Sequence, residues 1–146
     1  MSLMEKTMEK WHAHMRGTLE GGLDDLLHDD VVFHSPVVFT PQKGKEITKM
    51  YLNAAGATLG GGGEKDETKE VNPKDHKFRY IKEVVAGNTA VLEFERTTDG
   101  KYMNGVDIIT CDDDGKIIEF KVMMRPLQAV NAIHQQMGAM LEKMKG

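Results

Sequence analysis

Asp107 stands among apolar neighbours in the stretch Tyr102 to Pro126, YMNGVDIITCDDDGKIIEFKVMMRP. A carboxyl group on an apolar strand face loses hydration, and its pKa rises. Such a group can serve as proton donor, as base, or as hydrogen-bond anchor for a substrate oxygen. His34, in VVFHSP, is the second candidate. It sits where a strand ends, a place that often carries functional side chains, and imidazole titrates near neutrality. An inward acid and an inward base around an apolar cavity can move a proton without metal or cofactor. Each residue also has a plain alternative: a surface aspartate beside a lysine, and a satisfied or solvent-facing histidine.

The elements that must position Asp107 form an antiparallel hairpin. Two runs rich in β-branched and aromatic residues flank a turn of Asp112, Asp113, Asp114 and Gly115. In the second run Ile118, Phe120, Val122 and Met124 alternate with Glu119, Lys121 and Arg125, the period of a strand with one buried and one wetter face. A loop formed by residues 112–115 sets Cys111 opposite Lys116, Ile109 opposite Ile118, and Asp107 opposite Phe120 on the apolar side. A shift of one residue moves Asp107 beside Lys121 in water. The residues alone leave both registers open.

Ahead of the hairpin, Met4, Met8, Trp11, Met15 and Leu19 recur at helical spacing, and Gly21-Gly22 is the expected end of that helix. Its Met and Trp stripe reads as core, with Trp11 and Met15 able to wall a pocket. His12 and His14 lie two apart, so they share no helix face for a metal. Leu23, Leu26 and Leu27 give a short second helix, ended by His28-Asp29-Asp30. Val31 to Phe33 read as a strand broken at Ser35-Pro36, and Val37 to Phe39 continue extended. A third helix is expected from Lys45 to Ala55, stopped by Gly56, with Tyr51 able to turn its hydroxyl into a cavity. Four glycines at 60–63 lack the residues of a phosphate loop. They read as a turn before a solvated segment, Glu64 to His76. Lys77 to Val85 and Thr89 to Thr97 are two further strands, joining the hairpin in a meander of four. Beyond Pro126, Leu127, Val130, Ile133, Met137, Met140 and Met144 mark one face of a last helix.

The 146 residues make one domain, 1–146, with Met1 to Leu3 read as a possible cloning leader. Hydrophobic residues form 40% and charged residues 29%, an ordinary globular balance, and the net charge of −4 carries no basic tract for nucleic acid. One cysteine, Cys111, fits a reducing cytoplasm and permits no internal disulfide. No His/Cys spacing suggests a metal, and no run is long enough to span a membrane. The expected architecture is α+β, with helices packed on the concave face of a curved antiparallel sheet and a cavity between them.

Trp11 to Leu127 resembles the nuclear-transport-factor-2-like superfamily, and within it the SnoaL-like and ketosteroid-isomerase-like proteins. The resemblance rests on the first helix, LLHDDVVFHSP, the Gly44-Lys45 helix start and GVDIITCDDDGKIIEFKVMMRP. It implies a cone-shaped, cystatin-like α+β barrel, often a homodimer through the sheet, with a pocket at its open end. It also implies an oxyanion-holding acid where Asp107 stands, facing inward with Phe120 and Met124. The isomerase base falls at Ser35, which is no base, so His34 beside it is the expected substitute. Trp11, His12 and His14 lie near the place of the isomerase's first-helix tyrosine without matching it. The expected function is a cofactor-free isomerase or cyclase acting on a small apolar molecule by proton transfer. The alternative is a non-catalytic binding protein for such a molecule.

Overall fold

A computed structural model describes residues 2–59, 75–98 and 100–145. The run Gly60 to Gly63 and residues 64–74 of the segment expected to be solvated lie outside them. In chain order the elements are α1 (Leu3–Met15), α2 (Gly22–Leu26), β1 (Leu27–His34), β2 (Gln42–Lys43), α3 (Lys45–Leu59), β3 (His76–Ala86), β4 (Thr89–Thr98), β5 (Lys101–Cys111), β6 (Ile117–Arg125) and α4 (Leu127–Lys145).

Six strands form one sheet in the order β2-β1-β6-β5-β4-β3. The four-strand meander is present, and all its neighbours are antiparallel. β1, however, joins β6 in parallel. The sheet is therefore mixed rather than purely antiparallel, and it stays open rather than closing into a barrel. In that pairing Phe33 lies opposite Phe120 on the apolar face, with ring centroids 6.0 Å apart.

Several boundaries differ from the sequence expectation for local reasons. α1 stops at Met15, ahead of Gly21-Gly22. Gly17 adopts φ 74° and its N–H closes on His14 O at 2.9 Å, which ends the helix one turn early. Leu19 then packs on the core from the loop. β1 begins at Leu27, so His28, Asp29 and Asp30 lie in the strand rather than ending a helix. Val37 to Phe39 are not a strand. Ser35 Oγ accepts from the N–H groups of Val37 and Val38 at 3.1 and 3.3 Å, folding the chain into a turn, and the pairing strand is β2. α3 continues through Gly56 to Leu59. Pro126 precedes α4, its carbonyl accepting from Ala129 and Val130 N.

The hairpin register is two residues from the expected one at Asp107 and Ile109, and one residue from it at Cys111. Asp107 lies opposite Val122, Ile109 opposite Phe120 and Cys111 opposite Ile117, with a bulge between Thr110 and Cys111. The bulge leaves Ile118 as the extra residue and turns Ile117, fully buried, into the core in its place. Beyond the bulge the slip of two keeps side chains on their faces, so Asp107 points toward the helices. The turn is held by Asp112, whose Oδ1 accepts from Asp114 N and Lys116 N, both at 2.9 Å. Thr7 of α1 donates to Gly115 O at 2.7 Å and fixes the helix to this turn.

Met4, Met8 and Trp11 pack with Leu92, Ile109 and Phe120 in the larger core cluster. A smaller one joins Phe94, Met103 and Ile133. Gly105 marks a close approach between β5, β6 and β4. A Cβ there would fall on Met123 O and at 2.5 Å from Phe94 Cζ, so only glycine lets that ring lie across the strand beside Asp107.

Candidate active site

A cavity of about 180 Å³ lies between the sheet and the helices α1, α3 and α4. Its wall is mainly aromatic and aliphatic, with Phe33, Phe78, Phe94 and Phe120 from the strands and Ile133, Met137 and Leu141 from α4. The last three stand one helical turn apart, so they line the cavity from one stripe of α4. Six polar side chains reach the wall: His14, Ser35, Tyr51, Tyr80, Asp107 and His134.

Asp107 is 5% exposed. Its Oδ2 accepts a 2.6 Å hydrogen bond from the Tyr80 hydroxyl, and that oxygen in turn accepts from Trp11 Nε1 at 3.0 Å. Three elements, α1, β3 and β5, thus meet in one relay. Asp107 Oδ1 has no hydrogen-bond partner among the described residues. Burial pushes the carboxyl from its ordinary 3.8 to about 7, against a smaller lowering by the Tyr80 hydrogen bond. The same burial, and then the nearby carboxylate, hold the Tyr80 hydroxyl well above its usual range. Near pH 7 the acid is therefore poised between forms. Neutral, it can offer a proton to a ligand oxygen; ionised, it accepts one.

The structure brings Trp11, Met15, Ser35, Tyr51, Phe120, Met124 and Asp107 to one cavity wall. It does not bring His34 there. Phe33 points inward, so its neighbour turns to the opposite face of the sheet, where His34 Nε2 lies 3.4 Å from Glu119 Oε2. The expected encounter of His34 with Asp107 is not what the fold builds. The continuous apolar run Val31-Val32-Phe33 hides the strand's parity, and the parity decides the matter. Ser35 is on the wall, but its hydroxyl oxygen is engaged in the local turn.

Three polar wall residues were not anticipated as site residues. Tyr80, the partner of Asp107, alternates with Phe78 in KFRY, and that period of two was the available signal. A bulge at Ile81 then reverses the parity, so that Glu83 and Val85 follow on the helix side while Val84 is exposed. His14 closes α1 with its ring centroid 5.2 Å from that of Trp11, and burial lowers its pKa. His134 comes from α4. Among the described residues no group of His, Cys, Asp and Glu could hold a metal ion, and no helix is long and apolar enough to cross a membrane.

This architecture agrees with the comparisons. The SnoaL-like domain family matches residues 8–120. A steroid delta-isomerase of Pseudomonas aeruginosa is 31% identical, with a TM-score of 0.78 over 98% of this chain and 94% of that one. A protein with a cystatin-like fold from Silicibacter pomeroyi is 27% identical, with a TM-score of 0.66 over 87% and 77%. An NTF2-like protein of unknown function from Mesorhizobium loti shares the fold at 19% identity, with a TM-score of 0.62 over 85% and 92%. No curated protein matches the chain. The chain belongs to the SnoaL-like domain family, in the nuclear-transport-factor-2-like superfamily with the steroid-isomerase fold.

Proposed function

We propose that the protein is an isomerase for small apolar ketones, working by cofactor-free proton transfer in the cavity. The observation that carries this reading is Asp107, buried on an apolar wall with one oxygen held by Tyr80 and the other without a hydrogen-bond partner among the described residues. A carboxylic acid kept neutral by burial can hydrogen-bond a carbonyl oxygen more strongly as that oxygen gains negative charge. That stabilises the enolate formed when a neighbouring C–H gives up its proton. The likeness to a steroid delta-isomerase supports the reaction class. The cavity's size supports a compact substrate, because about 180 Å³ is close to the roughly 150 Å³ of an apolar cavity that takes up benzene. One ring, or two, suits it better than a four-ring skeleton.

The test is a series of β,γ-unsaturated ketones of one to four rings, followed by ultraviolet absorbance of the conjugated product. Turnover is expected with the one- and two-ring members and is lost in Asp107→Ala. If these ketones raise the Tm and leave the solution unchanged, the cavity belongs to a binding protein and the isomerase reading falls. The expected homodimer also remains a proposal. The sheet face away from the helices exposes Val84 and Met123, each at 52%, which suits pairing with a second copy.

A further inference from the structure

An acid that steadies an enolate needs a base to create it, and neither His34 nor Ser35 is free to be that base. Of the six histidines, four have polar partners: His12 pairs with Glu83 at 2.7 Å, His28 accepts from Asp30 N, His34 faces Glu119, and His76 meets Thr97. His14 and His134 are the two on the cavity wall, and neither ring has a hydrogen bond or ion pair among the described residues. His134 is exposed, whereas His14 is half-buried against the indole that begins the Trp11–Tyr80–Asp107 relay. A partly desolvated imidazole with no protein partner is a polar group left for a ligand.

Resting on the isomerase reading, we infer that His14 is the general base, taking the proton from the ketone's α-carbon and returning it to the γ-carbon. In the first step a ring nitrogen of neutral His14 accepts the α-proton. The C–H electron pair moves into the carbonyl, and the resulting dienolate oxygen is held by the neutral carboxyl of Asp107. In the second step the imidazolium gives the same proton to the γ-carbon. The double bond is then conjugated with the carbonyl, and both side chains are back in their starting forms. Burial keeps His14 neutral near pH 7, the form a base requires. The other titratable groups on the wall are Asp107 and Tyr80 from the sheet, Tyr51 from α3 and His134 from α4, and on its own helix Lys10 stands one turn earlier.

The experiment compares wild type, His14→Gln and His14→Ala on the best ketone of the series across pH 5 to 9, with folding checked by circular dichroism. For wild type, kcat/KM rises as His14 loses its proton and falls as Asp107 ionises. His14→Gln is expected to lose kcat by at least about 10²-fold and to lose the acidic limb of the profile. His14→Ala is expected to recover activity in added imidazole. If His14→Gln is folded, retains wild-type kcat and keeps the acidic limb, the base lies elsewhere and only this inference falls. If wild type converts none of the ketones, the isomerase reading falls and the role of His14 goes with it.

Discussion

Replacing Asp107 with asparagine tests the electrostatic core of the site without knowledge of the substrate. Asparagine has the shape of the neutral acid and can still accept from Tyr80. In the wild type the folded-state pKa is raised, from 3.8 to about 7. Sign follows from linkage. The folded chain holds that proton more tightly than the unfolded chain, so this group's contribution is complete below pH 3.8. It is lost as pH rises to about 7, and is constant above. A shift of about 3 units, at 1.36 kcal/mol each, gives a loss on the order of 4 kcal/mol by pH 8 and under about 2 kcal/mol at pH 5. Asp107→Asn cannot lose it. Urea denaturation at pH 5 and pH 8 should therefore show the variant gaining on the wild type by about 2 kcal/mol or more between the two conditions. Taking the difference between the proteins cancels the titration of every other group. An equal difference at both pH values, or a variant that loses ground at pH 8, would show that Asp107 is hydrated, and the acid chemistry built on it would have no basis.

Other outcomes follow from the same geometry. Tyr80→Phe removes the hydrogen bond that lowers the Asp107 pKa, so the alkaline limb of a pH–rate profile moves upward; denaturation should also show a loss of about 1–3 kcal/mol from Trp11 Nε1 left without its acceptor. Gly105→Ala drives a methyl group into Met123 O and the Phe94 ring, and should cost about 1–3 kcal/mol in the same assay. His34→Ala should leave turnover within about twofold, because its ring is on the other face of the sheet. If two copies pair through that face, Met123→Asp shifts the sedimentation coefficient to that of a monomer while the cavity is unchanged.

The residues alone left the register of Asp107 open, and with it the face; the family resemblance turned the acid inward. Alternation in β6 survives a slip of two residues, whereas the partner depends on the bulge at Ile118, which leaves no mark in a sequence where Ile117 and Ile118 are identical. Side-chain period therefore did not settle the orientation of the acid by itself, and tertiary packing chose Val122 over Phe120 as its neighbour. The side taken by the His34 ring was hidden in a related way: three apolar residues in a row gave no alternation to read. Tyr80 was missed because its role comes from contact across two strands, with α1 meeting it from above. The meander, by contrast, was legible because each of its turns is written locally, in Gly87, Gly100 and Asp112 to Gly115.

The parallel union of β1 with β6 sets an order of events for the newly made chain. β3 to β6 can zip up from neighbouring hairpins, each closing a short loop. β1 must wait for a partner from the far end of the sequence and bear the entropy of a long closure. Phe33 and Ser35 are carried by that late arrival, as is the turn that seats α3. That part of the cavity wall therefore forms only when β1 reaches β6. A ligand held by that wall acts as a clasp between them, slowing unfolding without touching the meander.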